Sequence, residues 1–80
     1  MRIALIGVGL IGGSIGLAAR ERLGASVTGY DTGPGALDVA RERGAIDRAA
    51  ETLAGAVSDA EAVFVAVPVG MLPDAVRAVL

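Results

Sequence analysis

Three apolar runs set the rhythm of this chain: Ile3-Ala-Leu-Ile6, Val27-Thr-Gly-Tyr30 and Ala62-Val-Phe-Val-Ala-Val67. Each is short, continuous or β-branched, and bounded by glycine, proline or charge, which predicts strands buried on both faces of a parallel sheet. The first strand is expected over about Arg2 to Ile6, the second over Ser26 to Tyr30 and the third over Ala62 to Val67. Pro68 closes the third, because proline lacks the N–H that a central ladder needs.

Helices are predicted between the strands. The first starts at Leu10 or Ile11 and runs to about Arg22, with Gly24 as a left-handed cap. Its body, Ser14-Ile-Gly-Leu-Ala-Ala, is small and apolar nearly all round, so it is expected to be largely buried. Gly16 costs helix propensity, about 1 kcal/mol relative to alanine, which close packing on the first strand would offset. A second helix is expected from Pro34 or Gly35 to Arg43, capped at Gly44. Ile46 then packs back, with Asp47 at the surface. Leu53 to Val57 reads as a short helix, and Met71 to Leu80 as another with Pro73 in its first turn. This order predicts an α/β fold: the N-terminal part (β-α-β-α-β-α) of a Rossmann-type doubly wound parallel sheet.

The junction of the first strand and helix carries the chemistry. Gly7-Val-Gly-Leu-Ile-Gly12 is G-x-G-x-x-G placed where a strand turns into a helix. Gly7 permits the tight turn, Gly9 lets a pyrophosphate approach the backbone, and Gly12 lets helix and strand lie close. The free N–H groups and dipole of the first helical turn then favour a phosphate. Asp31 closes the second strand about 20 residues later, where such units place an acid on a ribose 2′-hydroxyl. A carboxylate there accepts from a free diol and repels a 2′-phosphate, so NAD is preferred over NADP. The competing reading takes the glycines as packing only and Asp31 as a loop cap. The carboxyl ends of the three strands, at Gly7, Asp31 and Val67–Pro68, share one edge, where ligands bind in open α/β sheets.

Composition narrows the classes. Eighty residues make one small domain at most, and a complete dinucleotide domain needs two βαβαβ halves. The chain is therefore expected to be part of a longer protein. A net charge of −2 gives no reason to expect nucleic acid or an anionic membrane. All seven basic residues are arginine, and those on helix-like segments read as a solvated face. Without cysteine there is no disulfide, thiol nucleophile or thiolate metal site; without histidine there is no imidazole base. The uncharged stretch from Ile3 to Ala19 after Arg2 resembles a signal peptide or short span. Five glycines within it weaken a free helix, and only the strand–turn–helix reading accounts for their positions.

Gly7-Val-Gly-Leu-Ile-Gly-Gly-Ser, Thr28-Gly-Tyr-Asp, Gly44-Ala-Ile-Asp and Ala66-Val-Pro-Val together resemble the N-terminal half of prephenate and arogenate dehydrogenases. The resemblance runs over essentially the whole chain; Glu61, where the family more often has Asp, is a small departure. It implies a cytoplasmic, NAD-dependent oxidative decarboxylation in tyrosine biosynthesis, acting on a small-molecule substrate. It also implies a later helical domain that supplies a histidine and basic residues and forms a homodimer. For this chain it implies no catalytic residue and no metal ligand. The cofactor-binding positions are Gly7, Val8, Gly9 and Gly12 in the loop, and the backbone N–H groups of Leu10 and Ile11 toward the pyrophosphate, their side chains packed. Asp31 and Thr32 stand at the adenosine ribose, and Val67 and Pro68 along the groove. Two other functions share these features: another NAD(P)-dependent dehydrogenase or imine-reducing enzyme, and a non-catalytic NAD-sensing regulatory domain.

Overall fold

The computed structural model describes residues 1–33, 35–66 and 77. In chain order the elements are β1 (Arg2–Ile6), α1 (Leu10–Leu23), β2 (Ser26–Tyr30), α2 (Ala36–Glu42), β3 (Arg48–Ala49), α3 (Leu53–Val57) and β4 (Ala62–Val65). The strands form one sheet in the order β3-β2-β1-β4, and every pairing is parallel. Arg2 aligns with Ser26 and Ile6 with Tyr30, while Ile3 aligns with Ala62 and Ile6 with Val65. This is the α/β, Rossmann-like arrangement the apolar runs predict. Pro34, Val67, Pro68 and, Arg77 apart, the helix expected over Met71 to Leu80 lie outside the described residues.

β1 is the centre. Ile3, Ala4, Leu5 and Ile6 are all buried, with Leu5 fully enclosed. Ile3 and Leu5 point with Val27 into a cluster closed by Ala19 of α1, Ala40 of α2, and Ala45 and Ile46. Ala4 and Ile6 alternate onto the opposite face, where α3 contacts β1 and β2. A strand covered on both sides needs no polar alternation, which is why its sequence reads as an unbroken apolar run.

α1 departs from expectation. Only Gly12, Gly16 and Ala19 of its described side are buried, at helical spacing, whereas Ile11, Ser14 and Ala18 are exposed. The smallest residues form the line of closest approach, with Ile15 and Leu17 half-buried beside it against the core. Gly16 does not mainly serve the first strand: a Cβ there would overlap the carbonyl oxygen of Ala45, with Leu5 Cδ2 next at 3.3 Å. α1 ends at Gly24 in the left-handed region, φ 61°, whose N–H bonds Ala19 O.

β3 is an element that no propensity announces. Arg48 and Ala49 are both exposed. They pair with β2 because Asp47 N–H donates to Val27 O at 2.7 Å and Ala50 N–H to Gly29 O at 2.8 Å. Asp47 lies at the surface as expected, with its carboxylate bonded to the chain. Its Oδ2 accepts from Val27 N–H at 2.7 Å, and its Oδ1 meets Arg20 Nη2 at 2.9 Å. Arg20 Nη1 also donates to Gly44 O at 2.6 Å. Each side chain is only about a third exposed. One carboxylate and one guanidinium therefore tie the last turn of α1, the turn after α2 and the start of β2 together. Asp47→Ala removes the partner of Arg20 Nη2 and of the Val27 N–H, leaving Arg20 only Gly44 O, and is expected to cost about 2 kcal/mol in urea unfolding. Asp47→Asn keeps an acceptor and is expected to recover about half. Equal midpoints for Asp47→Ala and wild type would show that the network contributes nothing.

β4 is less covered than its sequence predicts. Its four residues are half-buried or exposed, and Phe64 is 42% exposed. Among the described strands it is an edge.

Candidate functional site: a glycine loop and a carboxylate at the strand ends

Three strand ends meet above β1. Gly7 N–H donates to Tyr30 O at 2.8 Å and Ala66 N–H to Ile6 O at 2.7 Å, so β2 and β4 both run up to the point where β1 turns. Gly7 makes that turn at φ 91°, in the left-handed region that residues with a Cβ avoid. Gly12 then lies directly against it: a Cβ on Gly12 would overlap Gly7 O and sit 3.4 Å from Ala66 Cβ. The helix thus begins within backbone contact of the strand end.

Gly9 caps α1 with no side-chain hydrogen bond, and the first turn carries no acidic residue. The space a Cβ would occupy at Gly9 is open, with nothing within 4 Å. An α-helix leaves its first N–H groups without internal partners and carries partial positive charge there. Here those groups face an open approach, the arrangement that suits a phosphate.

Asp31 stands at the end of β2, half-buried. Its Oδ2 accepts from Val8 N–H at 2.8 Å and its Oδ1 from Gly33 N–H at 2.7 Å. The carboxylate is held by the glycine loop on one side and by its own turn on the other. Each oxygen keeps acceptor capacity, since an ionised carboxylate has about four lone-pair sites. Thr32 is exposed beside it.

Gly7, Val8, Gly9, Leu10, Ile11, Gly12, Asp31 and Thr32 therefore gather at one edge; Val67 and Pro68 lie outside the described residues. One expectation is overturned. Ile11 does not pack: in the second position of α1 it is 75% exposed. Val8 is buried in the core below the loop.

A cavity of about 490 Å³ opens beside Gly9 and Gly13 and runs between α1 and α2 past Ser14, Leu17 and Val39 to Arg43. Asp31 and Thr32 do not line it, so it lies to the side of the strand-end edge. Among the described residues, no three His, Cys, Asp or Glu side chains gather as metal ligands. No helix among them is long and apolar enough to cross a membrane.

Comparison with known proteins places this geometry. A family profile described as prephenate dehydrogenase, nucleotide-binding domain, matches residues 15–80. It begins after the glycine loop, so the two observations are separate. The crystal structure of Synechocystis arogenate dehydrogenase superposes with a TM-score of 0.88 at 26% sequence identity. The alignment covers 99% of this chain and 28% of that one. No curated protein sequence matches the chain. A glycine turn at the strand ends, a matching sheet and a family profile over most of the chain agree: the chain belongs to the prephenate dehydrogenase nucleotide-binding domain family, a family of oxidoreductases.

Proposed function

We propose that residues 1–80 are the N-terminal portion of an NAD-binding domain, and that the longer protein is a prephenate or arogenate dehydrogenase of tyrosine biosynthesis. The observation that carries the choice of cofactor is the Asp31 carboxylate at the end of β2, anchored 2.8 Å from Val8 N–H. Its remaining lone pairs suit the two hydroxyls of a ribose, and its charge opposes a 2′-phosphate at the same place. The residues present fit the dinucleotide in three respects: an open approach over Gly9, first-turn N–H groups with no side-chain cap, and an acceptor at β2.

When bound, the nicotinamide supplies a hydride acceptor. The chain's own part is to hold and orient. The N–H groups of Leu10 and Ile11 would receive the pyrophosphate, Gly7 and Gly12 keep the helix start at the strand, and Asp31 with Thr32 would receive the adenosine ribose. Val67 and Pro68 complete the groove in this reading. In the overall reaction the substrate loses hydride from the ring carbon that bears the hydroxyl, and carbon dioxide from the ring, and aromatisation drives the step. The chain contains no histidine, so a group that polarises that hydroxyl belongs to another part of the protein. A homodimer built through a helical domain, and a cytoplasmic location, form part of the same reading.

The test is reduced-cofactor absorbance with the full-length protein, offering prephenate and arogenate in turn, each with NAD and with NADP. We expect turnover with one substrate and at least a tenfold higher kcat/KM with NAD, about the cost of setting like charges together. Turnover with NADP alone would overturn the role of Asp31. NAD binding without turnover of either substrate would favour another dehydrogenase or an NAD sensor.

A further inference from the structure

The two hydrogen bonds of Asp31 connect the readings that sequence alone sets against each other, ribose acceptor and loop cap. Val8 lies between the first two glycines, and its N–H points sideways to the end of β2 rather than along α1. Val8 also sends its side chain into the core. The loop is therefore pinned at one residue from below by packing and from the side by a carboxylate. The glycines on either side of Val8 bring no side chain to hold the backbone, and Gly7 carries a positive φ. On the far side of Asp31, Gly33 N–H donates to Oδ1 at 2.7 Å, so the carboxylate itself does not rotate freely.

We propose that Asp31 is a positioning residue for the glycine loop as well as a ribose acceptor, so that its removal weakens dinucleotide binding even where the ribose hydroxyls are absent. The ribose half rests on the proposed cofactor; the loop half does not. A charged acceptor makes a stronger hydrogen bond to a backbone N–H than a neutral one. Asp31→Asn would keep one oxygen for Val8 N–H; Asp31→Ala would keep none. Cofactor specificity is affected too. Accommodating a 2′-phosphate by placing a small residue at position 31 also releases the loop. The pair Asp31→Asn with Thr32→Arg is then expected to bind NADP more tightly than Asp31→Ala with Thr32→Arg.

The test uses the full-length protein without cofactor, then with two probes. Amide hydrogen exchange at Val8 is expected to speed up about tenfold in Asp31→Ala and less in Asp31→Asn, while Leu5 in the core keeps its rate. Affinity is then measured for NAD and for an analogue whose adenosine ribose lacks both hydroxyls. Asp31→Ala is expected to weaken NAD most and the analogue still by about fivefold. Unchanged Val8 exchange, with equal analogue affinity in Asp31→Ala and wild type, would overturn the proposal and leave a ribose acceptor alone. Equal losses for NAD and analogue would also overturn it, leaving a loop cap alone. Faster Val8 exchange in Asp31→Ala together with no dinucleotide binding by wild type would uphold the loop role and defeat the cofactor reading. Should Asp31→Ala fail to fold, Asp31→Asn supplies the same comparisons at smaller amplitude.

Discussion

Gly12→Ala is expected to abolish measurable dinucleotide binding and to lower stability by about 3 kcal/mol, the upper range for overpacking a close contact. The new Cβ would overlap the carbonyl oxygen of Gly7 and lie 2.9 Å from its carbonyl carbon. Both are backbone atoms, so no side chain can rotate aside. The start of α1 has to lift off β1, and the N–H groups of its first turn move with it. Gly13→Ala is the internal control. Its Cβ would meet nothing nearer than Val8 O at 3.8 Å, ordinary contact. It is expected to be neutral or stabilising by up to about 1 kcal/mol through helix propensity. Calorimetric titration with NAD and thermal melts on the two variants check this. A Gly12→Ala protein that binds and melts like wild type would show that helix and strand do not need their close approach. The motif spacing assigns the close approach to Gly12 and not to Gly13, and the distances to Gly7 and Val8 agree.

Leu5→Ala is expected to cost 2–5 kcal/mol, roughly the range for truncating an enclosed leucine. Leu5 has no exposure and lies at the middle of the central strand, against Val27 on β2 and the residues that close the cluster from α1 and α2. With natural domains stable by only about 5–15 kcal/mol, this is a large share. Its signature differs from that of Gly12→Ala. The denaturant midpoint falls, yet the folded molecules keep their affinity for NAD, because Leu5 points to the helices and not to the strand ends. A loss below about 1 kcal/mol would mean that α1 closes onto the vacated space. Weakened affinity at full folding would mean that the core and the loop are coupled.

Local patterns in the chain are read with good accuracy because local physics decides them. The extents of β1 and β2 follow from apolar runs between polar breaks, and the cap at Gly24 from the need for a left-handed residue; α3 matches the short helix read at Leu53 to Val57, although Thr52 and Ser58 are weak boundary signals in the sequence. Thr52 Oγ1 does accept from Gly55 N–H, at 3.0 Å. What escapes the reading is decided by neighbours distant in sequence. Arg48 and Ala49 become a strand only because Asp47 and Ala50 reach β2. Arg20 looks like any helix-surface arginine until the turn at Gly44 and the Asp47 carboxylate arrive beside it. The apolar composition of β4 states what its faces prefer, not what covers them, and Phe64 is left 42% exposed. In the candidate site the glycine spacing and the position of Asp31 are legible, since each answers to a backbone requirement. The hydrogen bond from Val8 to Asp31 is a tertiary contact, and the exposure of Ile11 depends on which neighbours α1 meets, which its own sequence does not state.

The sheet order bears on how the molecule is made. β1 leaves the ribosome before either of its partners, β2 and β4, yet it has to pair with both. Arg2 waits for Ser26, and Ile3 waits for Ala62. Until α1 and β2 have emerged, the apolar residues Ile3 to Ile6 of β1 have no ladder and no layer to cover them. Parallel pairing across such separations makes slow folding. Domains fold largely as units during synthesis, and unpaired apolar strands are where aggregation starts. The uncharged stretch from Ile3 to Ala19, which in the finished structure makes the tight turn at Gly7, is during synthesis a long apolar segment with nothing yet to cover it.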